Sequence, residues 1–194
     1  MKRTWIIVLV VLGIIFLGGC SSYNGLNEKF NEVDGKWADL QADYQRRLNL
    51  IPNIVKTVKG YAEFEKSTLT AVIEARAKAT SINISAENLD DAAIAKINAQ
   101  MSQVSGALNK LLAIAENYPN LKANEGFLKL QDQLEGTENR ITTSRKYYNE
   151  AVKIYNTSRR RFPTIIFASI LGFKVKPYFE AEAGAEKGVD VGEF

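Results

Sequence analysis

The chain of 194 residues contains no histidine and a single cysteine, Cys20. Without histidine there is no Ser-His or Cys-His nucleophile, no haem-histidine ligation and no histidine phosphotransfer. The Glu-x-x-His ligand pairs of di-iron helical bundles are absent for the same reason. One cysteine excludes an intrachain disulfide and a cysteine-based zinc site, so no metal and no cofactor is expected. Net basic charge is also nearly missing. Of 25 Lys and Arg against 22 Asp and Glu, Lys2 and Arg3 precede an apolar run, leaving 23 against 22 in the body. A nucleic-acid partner is therefore not expected. Gly25, Gly60, Gly106 and Gly136 follow no phosphate-loop spacing. Carboxylate chemistry remains open in principle, since Glu135 and Glu138 lie three apart on one helix face. Nothing in the sequence places a substrate there, and the chain is read as non-enzymatic.

What the sequence has begins with Lys2-Arg3, an unbroken apolar run from Trp5 to Gly19, and then Cys20-Ser21-Ser22. A positive start, a short apolar stretch and small residues at its end describe a secretory signal. The run is 15 residues long, short of the roughly 20 that cross hydrocarbon comfortably. Leu17-Gly18-Gly19-Cys20 resembles the bacterial lipobox, in which the cysteine is lipidated and becomes the mature N-terminus. The alternative is an uncleaved signal anchor with Cys20 near its end. Either reading attaches the protein to membrane lipid in a bacterial cell envelope, with the body outside the cytoplasm.

From Leu26 onward apolar residues recur in steps of four and three. The first segment carries Leu26, Phe30, Val33, Trp37, Leu40, Tyr44 and Ile51, and the second Val55, Val58, Ala62, Leu69 and Val72. The third carries Ile94, Ile97, Met101, Val104, Leu108, Leu111, Ala115 and Tyr118. The fourth carries Phe127, Leu130, Leu134, Thr137, Ile141, Ser144, Tyr148, Ala151 and Tyr155. An average spacing of 3.5 residues places each set on one narrow helix face. Pro52 predicts a break after Ile51, Ser85 or Asn88 is placed to cap the third segment, and Tyr118-Pro119-Asn120 to end it. The fold class expected is all-α, a long antiparallel up-and-down four-helix bundle with an N-terminal membrane anchor or signal segment. The main alternative joins the first two segments into one kinked helix across Pro52. The domain boundaries read 1–20 for the anchor, 21–173 for the bundle and 174–194 for a C-terminal tail.

In an antiparallel bundle the fourth helix returns toward the membrane. There it meets Arg159-Arg160-Arg161, Phe162 and the apolar Ile165, Ile166 and Phe167. A basic cluster beside a short apolar stretch suits the bilayer interface, and equally suits a fold-back that caps the bundle's open end. Glu180 to Phe194 is acidic and glycine-rich and reads as a mobile tail. Glu138, Arg145, Asn149 and Asn156 form a polar stripe beside the apolar seam of the fourth helix, and Arg46, Arg47 and Asn53 lie at the first chain reversal. Interhelical hydrogen bonding that fixes register is the plain reading of these seven. The functional reading is a groove that receives a partner helix or strand. Tyr147, Tyr148 and Tyr155 read as core and rim aromatics.

Several stretches together resemble a known family. Trp37, Tyr44-Gln45-Arg46-Arg47-Leu48-Asn49-Leu50-Ile51-Pro52-Asn53-Ile54-Val55 and Val58-Lys59-Gly60-Tyr61 look like the signature of the LemA family. Ala75-Arg76, Tyr118-Pro119-Asn120-Leu121-Lys122-Ala123-Asn124, Leu134-Glu135-Gly136-Thr137-Glu138-Asn139-Arg140-Ile141 and Tyr178-Phe179-Glu180-Ala181 extend the likeness. Asn49 stands where the family usually has aspartate, and Phe64 where histidine is common. The resemblance implies one N-terminal anchor, a LemA-like helical bundle and no assigned molecular function. It also implies an envelope protein partner of the TPM-domain type. The expected function is that of a membrane-anchored, non-catalytic interaction or scaffold module; a sensor or carrier with a small ligand between its helices is the alternative.

Overall fold

The computed structural model describes residues 2–61, 65–81 and 85–179, with the side chains of 2, 11, 14, 15 and 86 outside that description. Ala62, Phe64 and the acidic tail from Glu180 therefore fall outside the described residues. Among these residues every regular element is helical: α1 (Lys2–Lys59), α2 (Lys66–Thr80), a 3-10 turn (Ala86–Asn88), α3 (Asp91–Ala115), α4 (Pro119–Lys122), α5 (Glu125–Arg160) and α6 (Thr164–Ile170).

The largest departure from the leading sequence reading is α1, which follows the alternative of one helix across Pro52 as far as Lys59. No break occurs at Pro52; the helix runs through it, and also through the 20/21 boundary, for 58 residues, about 87 Å at 1.5 Å per residue. Proline inside a helix removes one hydrogen bond and costs about 3 kcal/mol. Two features offset that cost. The buried face keeps its register across the proline, with Leu40, Tyr44, Leu48, Ile51, Ile54, Val55 and Val58 all in the core. The carbonyl that Pro52 leaves without an N–H donor belongs to Leu48, four residues back, and the Arg76 Nε of α2 donates to it at 3.0 Å. The break falls instead after Lys59, where Gly60 and Tyr61 donate to Thr57 and Val58 and tighten the last turn.

The seam of α3 is the expected one: Ile94, Ile97, Met101, Val104, Leu108, Leu111 and Ala115 are buried. Its cap is not. Ser85 and Asn88 pair with each other in the 3-10 turn, and Asp90 caps α3 by accepting from the Ala93 N–H at 2.7 Å. Asp90→Ala is expected to lower stability by about 1 kcal/mol, read from a chemical denaturation midpoint; an unchanged midpoint would show that the cap is dispensable. Tyr118 and Pro119 end α3 and start the short α4, and Asn124 then caps α5 through the Phe127 N–H.

Helix α5 lies antiparallel along α1, as paired contacts show: Phe30 with Tyr155, Trp37 with Tyr148, and Tyr44 with Arg145. Helix α2 packs on α1 and α3, and α6 on α1 and α5. The Phe167 ring of α6 rests 3.3–3.7 Å from where a Cβ on Gly18 or Gly19 would stand, so these glycines allow the two helices to meet closely. Below this contact the described apolar side chains of α1, from Trp5 to Leu17, are exposed. Among the described residues no helix is long and apolar enough to cross a membrane.

Candidate functional site: a groove that holds an extended segment

Sequence reasoning started the tail at residue 174. The described residues 173–179 run extended in the groove between α1 and α5. Two asparagines on α5 make this possible. Asn156 donates from Nδ2 to the Lys176 carbonyl at 2.8 Å, and its Oδ1 accepts from the Lys176 N–H at 3.0 Å. Asn149 treats Phe179 the same way, at 2.8 and 2.9 Å. Each carboxamide thus offers the donor and acceptor that a neighbouring β-strand would offer.

The spacing explains the register. Seven helical residues rise about 10.5 Å and three extended residues about 10 Å, so Asn149 and Asn156 match positions 179 and 176 of a chain running antiparallel to α5. A second row repeats the interval. The Tyr148 hydroxyl donates to the Pro177 carbonyl at 3.2 Å, and the Tyr155 hydroxyl to that of Lys174 at 2.8 Å. Arg159 Nε closes the ladder on the Phe173 carbonyl at 2.7 Å.

Lys176, Pro177 and Phe179 are the buried residues of the segment. Lys176 is buried, with its ammonium 4.7 Å from the Phe30 ring centre. Phe179 is buried between Trp37, stacked at 6.1 Å, and Tyr148, edge-on at 5.3 Å, with the Arg145 guanidinium 5.8 Å from its ring. Val175 and Tyr178 face solvent.

The seven residues proposed for a groove divide three ways. Asn149, Asn156 and Arg145 surround the extended segment. Arg47 and Glu138 form a separate bridge: Arg47 is 5% exposed and reaches Ser105 on α3 at 2.6 Å and Glu138 on α5 at 3.0 Å. Arg46 and Asn53 are exposed and belong to neither, because the chain reversal that grouped them does not occur at Pro52. Glu138 is half exposed, so Glu138→Gln is expected to cost only about 1 kcal/mol in a denaturation series. A cost several times larger would place the Arg47 charge in a drier setting than the structure shows.

At the other candidate site, Arg159 is committed to the Phe173 carbonyl, while Arg160, Arg161, Phe162, Ile165 and Ile166 are exposed and Phe167 packs on α1. Cys20 is an exposed free thiol on α1. Lys176, Pro177 and Phe179 were missed as site residues. Their sequence signals are Pro177, which keeps Lys176 extended, and Phe179, which lies in a family-like stretch.

Burial holds three phenols of this region above their ordinary pKa: Tyr44, where Arg145 opposes the rise, Tyr148, and Tyr155, where Arg159 opposes it. Desolvation lowers Lys176, against the pull of Glu87 and Asp34. A raised phenol gives stability that is complete below the unfolded value near 10 and is lost as pH climbs toward the folded one. A lowered lysine works in the opposite sense, relieving a penalty as pH rises to its unfolded value. The rise at Tyr148 is large and no charge opposes it, so it sets the sign. The melting temperature is expected to fall above about pH 10, with a shallower fall in Tyr148→Phe. An alkaline fall of equal slope in that variant would contradict the assignment.

The sequence model of the LemA family matches residues 36–192. Protein LemA of Metamycoplasma hominis is 25% identical over 185 residues, covering 95% of this chain and 81% of that protein. Magnetosome protein MamQ of Magnetospirillum gryphiswaldense is 27% identical over 180 residues, covering 84% of this chain and 66% of that protein. Magnetosome protein MamQ 2 of Paramagnetospirillum magneticum is 27% identical over 181 residues, with the same two coverages. The chain thus spans 66% of the length of each of these MamQ relatives. With a family match that covers most of the chain, including Trp37, all of α5 and the extended segment, the chain belongs to the LemA family.

Proposed function

We propose that this protein is a membrane-anchored, non-catalytic interaction module of the bacterial envelope. The observation that carries the reading is the groove between α1 and α5, where side chains at helical spacing hold an extended polypeptide by its main chain. Such a surface recognises polypeptide rather than transforming a substrate. The fold that presents it is read as an up-and-down bundle of α1, α2, α3 and α5 on an anchoring stem.

Attachment follows from the exposed apolar run of α1, whose side chains need a partner other than water. Lipid meets that need through a lipidated Cys20, or through the run retained as a single-pass anchor. Helix α6 would lie at the same level, with Phe162, Ile165 and Ile166 toward lipid and Arg160 and Arg161 among headgroups. The expected protein partner is an envelope protein of the TPM-domain type, by family association.

Photo-crosslinking in cells, with probes along the exposed faces of α1 and α5, tests this. Capture of one envelope protein from a contiguous stripe supports an interaction module. Crosslinks to lipid alone would sink it. A second reading, a sensor or carrier of a small ligand, is favoured by one cleft of about 460 Å³ between α1, α2 and α3, lined in part by Trp37, Tyr44, Gln41 and Met101. It predicts a melting temperature that rises with the ligand bound.

A further inference from the structure

The groove that carries the proposed function reads its occupant by a short code. Five side chains of α5 bond the main chain of residues 173–179, which any sequence offers. Selectivity comes from buried side chains, above all a cation over the Phe30 ring and an aromatic ring between Trp37 and Tyr148. They lie three residues apart, with Pro177 buried after the lysine. The pattern read is Lys-Pro-x-Phe, and Lys-Pro occurs once in the chain.

None of these contacts needs the segment to belong to the α5 that holds it. The tether between them is slight. Of the seven residues of α6 only Ala168 is buried, and the segment leaves α6 through Leu171 and Gly172, the latter at φ 76°. A glycine there reaches left- and right-handed backbone conformations alike, so the turn opens without a side-chain penalty. Exposed beside it are Ile170 and Leu171, apolar surface at the point where two exchanged chains would cross.

We propose that the groove between α1 and α5 is a peptide site for an extended Lys-Pro-x-Phe segment, and that a second copy of this chain supplies it by reciprocal exchange of residues 173–179. The exchanged pair keeps the bonds between α5 and the segment and gives up the Phe173 N–H to Ala168 carbonyl bond that closes the turn. The balance is then set by concentration against the effective concentration of the tethered segment, on the order of millimolar for a short linker. Dilute protein stays closed; copies crowded together exchange. The inference rests on the groove reading alone and holds with or without a membrane anchor.

Two full-length variants in detergent test it. Lys176→Ala with Phe179→Ala has a groove and no competent segment. Asn149→Ala with Asn156→Ala has a segment and no competent groove. Circular dichroism establishes that each retains its helices. Sedimentation of each alone should show monomer, and an equimolar mixture should show a one-to-one complex at micromolar concentration. A mixture that stays monomeric overturns the exchange.

Should the groove variant not fold, the segment variant is titrated with a synthetic peptide of residues 173–179 and followed by Trp37 fluorescence in a Trp5→Phe background. Saturable binding, weakened at least tenfold when the peptide's phenylalanine is alanine, supports the site. No saturable binding overturns it. Photo-crosslinking that captures an envelope protein while the variant mixture stays monomeric would remove exchange and leave the interaction module standing.

Discussion

Asn156→Asp is expected to destabilise the docked segment by about 2–4 kcal/mol, although it changes almost no volume. The carboxamide donates to one peptide carbonyl and accepts from the N–H of the same residue, Lys176. A carboxylate accepts only. It leaves the Lys176 carbonyl without its donor and faces that carbonyl with negative charge. A buried polar group left unpaired costs about 1–3 kcal/mol, more where a charge is involved. Asn156 is 4% exposed, so water is poorly placed to substitute. The loss should appear as early proteolysis between Phe173 and Phe179 and as a lowered denaturation midpoint. Asn156→Ala should cost less than the aspartate, since it adds no charge. If both variants match the parent, the asparagine does not hold the segment.

The second large effect joins two residues 24 positions apart. Arg76→Met is expected to cost about 2 kcal/mol, because the Leu48 carbonyl then has neither the N–H that Pro52 lacks nor the guanidinium that replaces it. Hydrogen bonds to charged groups contribute about 1.5–3 kcal/mol. The cause is tested by a double-mutant cycle. In a Pro52→Ala background the backbone N–H is restored, Leu48 has its ordinary helical partner, and Arg76→Met should cost less than half as much. Equal costs in both backgrounds would show that Arg76 acts through packing or charge unrelated to the proline.

These two residues also show where sequence reading succeeded and where it failed. Heptad spacing carries the period of a helix face, so the α3 seam from Ile94 to Ala115 was legible residue by residue. It carries no information about which breaks are forgiven. Pro52 is a helix breaker by local rules, and its tolerance depends on Arg76, which reaches the Leu48 carbonyl only in the folded protein. From that misplaced break followed the grouping of Arg46 and Asn53 with a groove in which neither takes part. Asp90 was passed over as a cap because Ser85 and Asn88 have the same chemistry a few residues earlier.

The clasp was legible on one side. Asn149 and Asn156, seven apart beside an apolar seam, marked a face able to bond something. The occupant was not visible, because Lys176 to Phe179 is too short to show a period and is followed by an acidic, glycine-rich stretch. Tyr148 and Tyr155 were read as core aromatics. They are buried, yet their hydroxyls also bond the extended chain, a role that depends on what lies against them. Family membership was legible because it rests on ordered short matches along the chain, which need no knowledge of how the chain folds.

Helix α5 holds residues 173–179 by their main chain at three-residue intervals. Hydrogen exchange of the full-length protein, resolved amide by amide, tests it most directly. The Lys176 and Phe179 amides donate to Asn156 and Asn149 and should exchange orders of magnitude more slowly than those of Val175 and Tyr178. Asn156→Asp should erase the protection at Lys176 first. Uniformly fast exchange from Lys174 to Phe179 would mean that these bonds do not hold the segment, and would remove the groove on which the proposed function rests.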